Sequence, residues 1–128
     1  MRDAISAPSA VAVGPYSHAV GVGDLVICSG QTPLDPSTGE LVTGGIAAQT
    51  KQCFANLFAV LAGASLGPDD VVKANVYLTN MDTFAEMNGM YETMFEQPYP
   101  ARTTIGVASL PLGASVEIEL IAHRKPLA

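Results

Sequence analysis

Positively charged residues are scarce in this 128-residue sequence, which has six Lys and Arg against twelve Asp and Glu and a formal net charge of −6. The cations are scattered, whereas a protein that binds nucleic acid needs clustered Lys and Arg to neutralise phosphates. We therefore expect no nucleic-acid partner. Charged residues of both signs make up only 14%, below the roughly 25% of an average soluble domain, so much of the surface is expected to face other protein.

Cysteine, histidine and long apolar runs are also sparse. Cys28 and Cys53 form no CxxC motif and are expected to be buried free thiols in a reducing compartment. Two distant histidines and the lack of glycine-rich nucleotide motifs predict neither a metal nor a cofactor. No apolar run reaches the ~18 residues of a membrane span, and Pro8 and Pro15 make the N-terminal region a poor signal peptide. These features predict a cytoplasmic protein without a membrane partner.

The apolar patterns predict one domain over residues 1–128. Two short apolar runs, 19–22 and 25–29, flank a turn led by glycine and predict a β-hairpin. Apolar positions spaced by three and four between residues 46 and 64 predict a first helix, because this spacing gives a helix one continuous apolar face.

A second helix is predicted from the apolar stripe between residues 84 and 94. Asp82 or Thr83 is expected to cap its N-terminus, since a short polar side chain can accept a hydrogen bond from the first free backbone N–H groups. Pro98 and Pro100 are expected to end it.

Three further strands are predicted at 71–79, 102–108 and 116–123. In the first of them Val72 is expected to share the buried face with the other even-numbered residues. The resulting order is β-β-α-β-α-β-β. It predicts an α+β fold, with a single mixed sheet and both helices on one face.

The face of the sheet without helices is predicted to carry polar residues. If the last two strands pair with their apolar faces matched, Arg102, Thr104, Glu117 and Glu119 all lie on this face. A sheet face that mixes apolar and charged groups indicates an oligomer interface with a polar site inside it.

Arg102 is the most informative cation, because it begins an otherwise apolar strand and cannot lose its charge. It therefore needs an anionic partner. One reading is an internal ion pair with Glu117 or Glu119. The other is a ligand carboxylate held by the guanidinium fork, and the residues alone leave both readings open.

Nine short motifs occur along the chain in a fixed order. They are Gly14-Pro15-Tyr16-Ser17, Ser29-Gly30-Gln31, Asp35-Pro36-x-Thr38-Gly39-Glu40, Gln49-Thr50, Asp70-Val71-Val72-Lys73, Asn88-x-x-Tyr91, Pro100-Ala101-Arg102, Leu110-Pro111 and Val116-Glu117-Ile118-Glu119. Each is weak alone, but together they cover nearly the whole chain. In these motifs the sequence resembles the RidA (YjgF-type) reactive-intermediate deaminases.

The resemblance implies both a fold and an activity. The family has a chorismate-mutase-like α+β fold and forms a homotrimer, whose sheets line a central barrel and whose sites lie between subunits. Its members hydrolyse reactive 2-imino and 2-enamino acids, such as 2-aminoacrylate, to 2-keto acids and ammonia. This protects pyridoxal-phosphate enzymes and uses no cofactor.

The resemblance also assigns catalytic roles. Arg102 matches the arginine that grips the substrate carboxylate, and Glu117 matches the acidic residue that positions or activates water. Tyr16 matches the tyrosine that lines the cleft.

Four more residues are implied to bind substrate. Ser29 and Gly30 match the segment beside the substrate, and Asn88 matches the family asparagine. Thr104 stands where many members have cysteine and is expected to bind through its backbone. Purely structural roles stay open for Ser29 and Asn88, and Gly30 is expected to be mainly a strand kink.

Other functions remain open besides this deaminase. One is a trimer that binds a carboxylate metabolite without turnover. Another is a dedicated catabolic deaminase of the aminomuconate type. The ribonuclease activity attributed to some relatives is disfavoured by the negative net charge.

Overall fold

Six strands form one mixed sheet in a computed structural model, which describes residues 1–7 and 14–125. Pro8, used above against a signal peptide, lies outside the described residues. The elements are β1 (Asp3–Ile5), β2 (Ala19–Val22), β3 (Leu25–Cys28), α1 (Ile46–Ala62), β4 (Val71–Leu78), α2 (Phe84–Tyr91), β5 (Ala101–Gly106) and β6 (Val116–His123). The predicted α+β class, with one mixed sheet and two helices, is confirmed.

The strand order is β1-β2-β3-β6-β4-β5, so β1 and β5 are the edge strands. The β2–β3 hairpin is confirmed, and its turn residue Gly23 has a φ of 58°, which suits glycine. The sequence prediction missed β1, which pairs antiparallel with β2. Three residues are too few to show the alternation by which a strand is recognised.

The predicted pairing of the last two strands is wrong. β4 lies between them, with β5 parallel to it on one side and β6 antiparallel to it on the other. The physical reason is the connection through α2, which is long enough to return the chain to the same end of the sheet and so permits parallel pairing.

The core lies between the two helices and one face of the sheet. From α1, Phe54 and Leu57 are fully buried, and they belong to the same apolar cluster as Val76 and Ile118 from the central strands. The buried stripe of α1 follows the predicted spacing of three and four. Among the described residues, no helix is long and apolar enough to cross a membrane.

Two local predictions are wrong. Val72 is 46% exposed, because a bulge between Val71 and Lys73 shifts the register of β4 and buries Val71 instead. Ala74 and the later even-numbered residues of β4 do lie on the buried face.

The N-terminal cap of α2 also differs from the prediction. The side chain of Asn80 accepts a hydrogen bond of 2.9 Å from the backbone N–H of Asp82, one turn before α2 begins, whereas Thr83 makes no side-chain cap. The helix then ends at Tyr91, well before the prolines at 98 and 100.

Candidate active site

Arg102 and Thr104 face the helices rather than the open side of the sheet. In the parallel pairing of β4 with β5, Arg102 lies opposite Ala74 and Thr104 lies opposite Val76. Both partners are fully buried in the core. Directly opposed residues project to the same side of a sheet, so Arg102 and Thr104 point to the helix side, at the sheet edge.

Glu117 and Glu119 lie on the other face. In the pairing of β4 with β6, Glu117 is opposite Tyr77 and Glu119 is opposite Asn75. These residues alternate with the buried ones and face the helix-free side. The predicted grouping of both glutamates with Arg102 and Thr104 on one face is therefore wrong, because it assumed that the last two strands were neighbours.

The Arg102 side chain rests on aromatic rings of α2. Its Cζ lies 4.6 Å from the centroid of the Tyr91 ring and 5.6 Å from that of Phe84. Within the described residues, no carboxylate lies within ion-pair distance of its guanidinium. The internal pair with Glu117 or Glu119 is thus absent from the single chain, which leaves the guanidinium fork open to another anion.

A cavity of about 300 Å³, here called the arginine pocket, is lined by Asn88, Tyr91, Glu92, Tyr99, Pro100 and Arg102. Buried oxygen atoms of Asn88, Tyr91 and Thr104 have no hydrogen-bond partner among the described residues. Because buried polar atoms are nearly always paired in native proteins, these atoms are available to hydrogen-bond a ligand, a water molecule or another chain.

The carboxylate of Glu117 packs against Gly30, which has no side chain. A Cβ atom added at Gly30 would stand 2.9 Å from Oε1 of Glu117, which is closer than van der Waals contact allows. Burial, and then the negative charge of Glu119, raise the pKa of the Glu117 carboxyl. Gly30 therefore leaves the space that the Glu117 carboxylate occupies. This is a more specific role than the predicted strand kink.

Replacing Gly30 by alanine is expected to push the Glu117 carboxylate out of its position. If that carboxylate acts on the substrate, kcat should fall by about tenfold, while the melting temperature changes little because the glycine is only half-buried. Steady-state kinetics and thermal melting check this, with Gly89→Ala as a control, since a Cβ at Gly89 meets nothing. If kcat is unchanged in Gly30→Ala, the exact position of the Glu117 carboxylate does not matter for catalysis.

Glu119 is held by two neighbours from β4. The Tyr77 hydroxyl donates a short hydrogen bond to Oε1 of Glu119, and Nδ2 of Asn75 donates another of 3.2 Å. The hydrogen bond to Glu119, followed by burial, raises the pKa of Tyr77 to about 12. Glu119 is thus fixed as a hydrogen-bond acceptor, whereas Glu117 makes no such bond within the described residues.

A second cavity of about 460 Å³, the glutamate pocket, lies on the helix-free side. Tyr16, Ser29 and Glu119 are among its lining residues. The hydroxyl of Ser29 donates a 2.6 Å hydrogen bond to the carbonyl of Ser17, which ties the segment carrying Tyr16 to the end of β3. Backbone hydrogen bonds between Gln31 and β6 hold residues 29–31 beside the glutamates.

Known proteins match the chain over almost its whole length. The family model described as endoribonuclease L-PSP matches residues 5–124. The crystal structure of RidA from the Antarctic bacterium Psychrobacter superimposes with a TM-score of 0.91 at 45% identity, covering 95% of this chain and 99% of that one. The chain belongs to the RidA (YjgF-type) family. The predicted membership is confirmed.

Named relatives within this family include an enzyme. A mouse protein named 2-iminobutanoate/2-iminopropanoate deaminase is 44% identical over 127 residues, which are 98% of this chain and 94% of the mouse protein. A RutC family protein of Pyrococcus horikoshii is 42% identical over 113 residues, or 88% of this chain and 90% of that protein.

The structure places the predicted site residues in two groups, here called half-sites. The arginine half-site holds Arg102, Asn88 and Thr104 on the helix side. The glutamate half-site, on the other side, holds the remaining predicted residues, which are Tyr16, Ser29, Gly30 and Glu117.

Sequence reasoning missed the supporting residues of both half-sites. Tyr91 is predicted only as part of the motif Asn88-x-x-Tyr91, and the sequence assigns no role to Tyr77 and Asn75. The alternation of Asn75 and Tyr77 on β4, matched by that of two glutamates on β6, was a signal for the hydrogen-bonded network. It could be used only once those two strands were known to be neighbours.

Replacing Glu119 by glutamine is expected to lower the pKa of Glu117, because one of the two causes that raise it is the Glu119 charge. If ionised Glu117 is the working form, the acid limb of the kcat/KM profile should move to lower pH. Glu40→Gln, far along the chain and exposed, serves as the control. A profile that is unchanged, or that moves to higher pH, would contradict the coupling of the two glutamates.

Proposed function

We propose that the protein hydrolyses 2-imino and 2-enamino acids, such as 2-aminoacrylate, to 2-keto acids and ammonia. The observation that carries this proposal is the half-buried guanidinium of Arg102, which has no carboxylate partner among the described residues and lies beside unpartnered polar atoms in a small cavity. A site for one small carboxylate fits that arrangement. The deaminase name of the mouse relative supports the reaction class.

The active site is formed between two copies of the chain. Arg102 and Glu117 lie on opposite faces of one sheet, so a single chain cannot direct both at one small substrate. The helix-free face also exposes large apolar side chains, Ile27 at 40% and Ile105 at 45%, which favours burial against another subunit. A homotrimer with its sheets around a central barrel satisfies both requirements.

Each copy would be one domain over residues 1–128 and would work in the cytoplasm. The roles follow from the half-sites. Arg102 binds the substrate carboxylate bidentately, with Asn88 and Thr104 beside it, and the neighbouring subunit supplies Glu117, with Tyr16, Ser29 and Gly30 shaping the cleft around it.

The reaction then balances without a metal or cofactor. Arg102 holds the carboxylate so that the electrophilic C2 of the iminium faces a bound water molecule. Ionised Glu117 takes a proton as the water oxygen bonds to C2, which gives a carbinolamine. The protonated Glu117 returns that proton to the amino group. As the C–N bond breaks, Glu117 takes the proton of the carbinolamine hydroxyl, which leaves the 2-keto acid. That proton then passes to the released ammonia, so the net products are the 2-keto acid and ammonium.

The activity is tested with imines generated in place by an amino-acid oxidase from small, aliphatic and aromatic amino acids. Faster loss of the imine and faster appearance of keto acid than in buffer, undiminished by a strong chelator, are the expected results. Binding of keto acids without any acceleration would instead support the non-catalytic carboxylate-binding trimer. Selective turnover of one bulky substrate would support a dedicated catabolic deaminase of the aminomuconate type.

The shared site gives a prediction about mixed trimers. Trimers of Arg102→Ala alone and of Glu117→Gln alone are each expected to be strongly impaired, yet trimers assembled from both kinds of subunit should regain activity. Random mixing leaves about a quarter of the sites with both wild-type residues, since each site takes one residue from each of two neighbours. Activity is measured after co-expression of the two variants and purification of the mixed species.

The control is the same mixture without subunit exchange, made by combining the separately purified trimers briefly. If the mixed trimers regain no activity, Arg102 and Glu117 of one site must come from the same chain. Sedimentation equilibrium at about one chain mass, rather than three, would remove the intersubunit site altogether.

A ribonuclease function is disfavoured, although the family model carries an endoribonuclease description. The chain has a net charge of −6. Both half-sites also contain acidic residues, Glu92 in the arginine pocket and Glu119 in the glutamate pocket, which would repel a phosphate backbone.

A further inference from the structure

Within residues 1–7 and 14–125, the guanidinium of Arg102 is engaged only by aromatic rings. Its Cζ lies 4.6 Å from the centroid of Tyr91 and 5.6 Å from that of Phe84, and no hydrogen bond or ion pair engages it among the described residues. If a carboxylate of the protein were bound to Arg102, it would occupy N–H groups of the guanidinium that a substrate carboxylate could otherwise use. A ring attracts the cation through its π-electrons and forms no hydrogen bond with the N–H groups of the fork, which stay available to a carboxylate.

The Tyr91 ring is itself fixed by other rings. It is 5% exposed and packs edge-to-face on Phe54, with centroids 5.5 Å apart, and against Phe95 at 5.3 Å. Phe58 completes this aromatic cluster by packing on Phe54 and Phe95, and among the described residues its ring does not lie over the guanidinium of Arg102. The cluster anchors Tyr91 to α1, so the ring presents a rigid surface to the arginine.

We propose that Tyr91 is a positioning residue, whose ring face orients the Arg102 guanidinium so that its fork meets the substrate carboxylate. The proposal rests on the carboxylate-binding role given to Arg102 above. The attraction of the cation to the ring holds the arginine in the absence of substrate without an anion that the substrate would have to displace. The arginine is thereby preorganised, and binding loses less side-chain freedom.

The hydroxyl of Tyr91 is a separate feature from its ring. It is buried without a hydrogen-bond partner among the described residues, and burial raises its pKa while the charge of Arg102 opposes that rise. A phenylalanine at this position keeps the ring and removes the hydroxyl. Tyr91→Phe and Tyr91→Leu therefore separate the two.

The experiment measures imine hydrolysis, affinity for 2-oxobutanoate as a product-like carboxylate, and melting temperature for each variant. Tyr91→Leu is expected to lower kcat/KM about tenfold and to weaken 2-oxobutanoate binding similarly, whereas Tyr91→Phe, which keeps the ring and removes only the hydroxyl, should lose clearly less of each. Phe84→Leu, which removes the more distant ring, should cause a smaller loss. If Tyr91→Leu does not fold, the effect of Phe84→Leu on kcat/KM and on 2-oxobutanoate affinity tests whether a ring orients Arg102.

Phe58→Leu is the matched control, because it removes a ring from the same cluster without touching the arginine. It should lower the melting temperature and leave both kcat/KM and carboxylate affinity near the wild-type values. In an Arg102→Ala background, Tyr91→Leu should cause no further loss of activity, since a positioning residue has nothing left to position.

Three results would overturn the proposal. Equal kinetics for Tyr91→Leu and Phe58→Leu would make Tyr91 merely structural. Equal losses for Tyr91→Phe and Tyr91→Leu would assign the effect to the hydroxyl instead of the ring. A wild-type protein that neither hydrolyses imines nor binds 2-oxobutanoate would overturn the proposed function, and this inference with it.

Discussion

Replacing Arg102 by lysine is expected to impair the enzyme nearly as much as replacing it by alanine, with both variants still folded. Lysine keeps the charge but offers a point donor in place of the planar fork, so the substrate carboxylate can rotate and C2 leaves the path of the water. Loss of such a charged contact typically costs about 2–5 kcal/mol, or roughly 30- to 4,000-fold in kcat/KM. Imine hydrolysis and thermal melting of both variants measure this.

The structure makes this prediction sharper than the sequence could. Since Arg102 has no internal ion pair within the described residues, neither variant strands a buried carboxylate in the chain. Arg124→Lys is the matched control, because Arg124 lines neither pocket, and among the described residues its side chain donates hydrogen bonds to the Gly23 carbonyl and to Asp3. Full activity of Arg102→Lys would rule out a bidentate fork.

Replacing Glu117 by glutamine is expected to lower kcat by about a hundredfold, within the range typical of a lost general base. Binding of a keto acid should change far less, because the amide occupies the same space beside Gly30 but does not accept a proton. The ratio of the effects on kcat and on keto-acid affinity is the measurement. Equal rates for mutant and wild type would leave Glu117 with a structural role and make Glu119 the next candidate.

The same substitution should not destabilise the protein at neutral pH. Burial raises the pKa of Glu117 in the folded state, so the ionised carboxylate is less stable there than in the unfolded chain. The penalty is present at neutral pH and disappears as the pH falls below the unfolded pKa, where both states are protonated. The Glu117→Gln variant is therefore expected to melt at or above the wild-type temperature at pH 7, and to match it in acid.

Local patterns predicted the elements well. The helix that starts at Ile46 and the hairpin around Gly23 depend on residues within a few positions of each other, and their periodicity is visible in the sequence. Family motifs likewise suggested Arg102 and Glu117 as candidate site residues, because each motif is a short run, and their roles stay a prediction.

Non-local relations could not be read in this way. Alternation shows which residues of a strand share a face, but it does not show which strand lies beside it. The insertion of β4 between β5 and β6 therefore reversed the face assigned to Arg102. Val72 was misplaced for a similar reason, because the bulge at the start of β4 shifts a register that is defined only by its partner strand.

The position of β5 at the edge of the sheet affects how quickly the protein loses activity after dilution. The strand that carries Arg102 also carries a free row of backbone donors and acceptors, which in a lone chain can pair with any other exposed strand. Dissociation of the proposed assembly would therefore separate the two half-sites and leave lone chains whose β5 edge can pair with another exposed strand. Storage at low concentration should then cause inactivation and aggregation together, and a ligand that bridges two subunits should slow both.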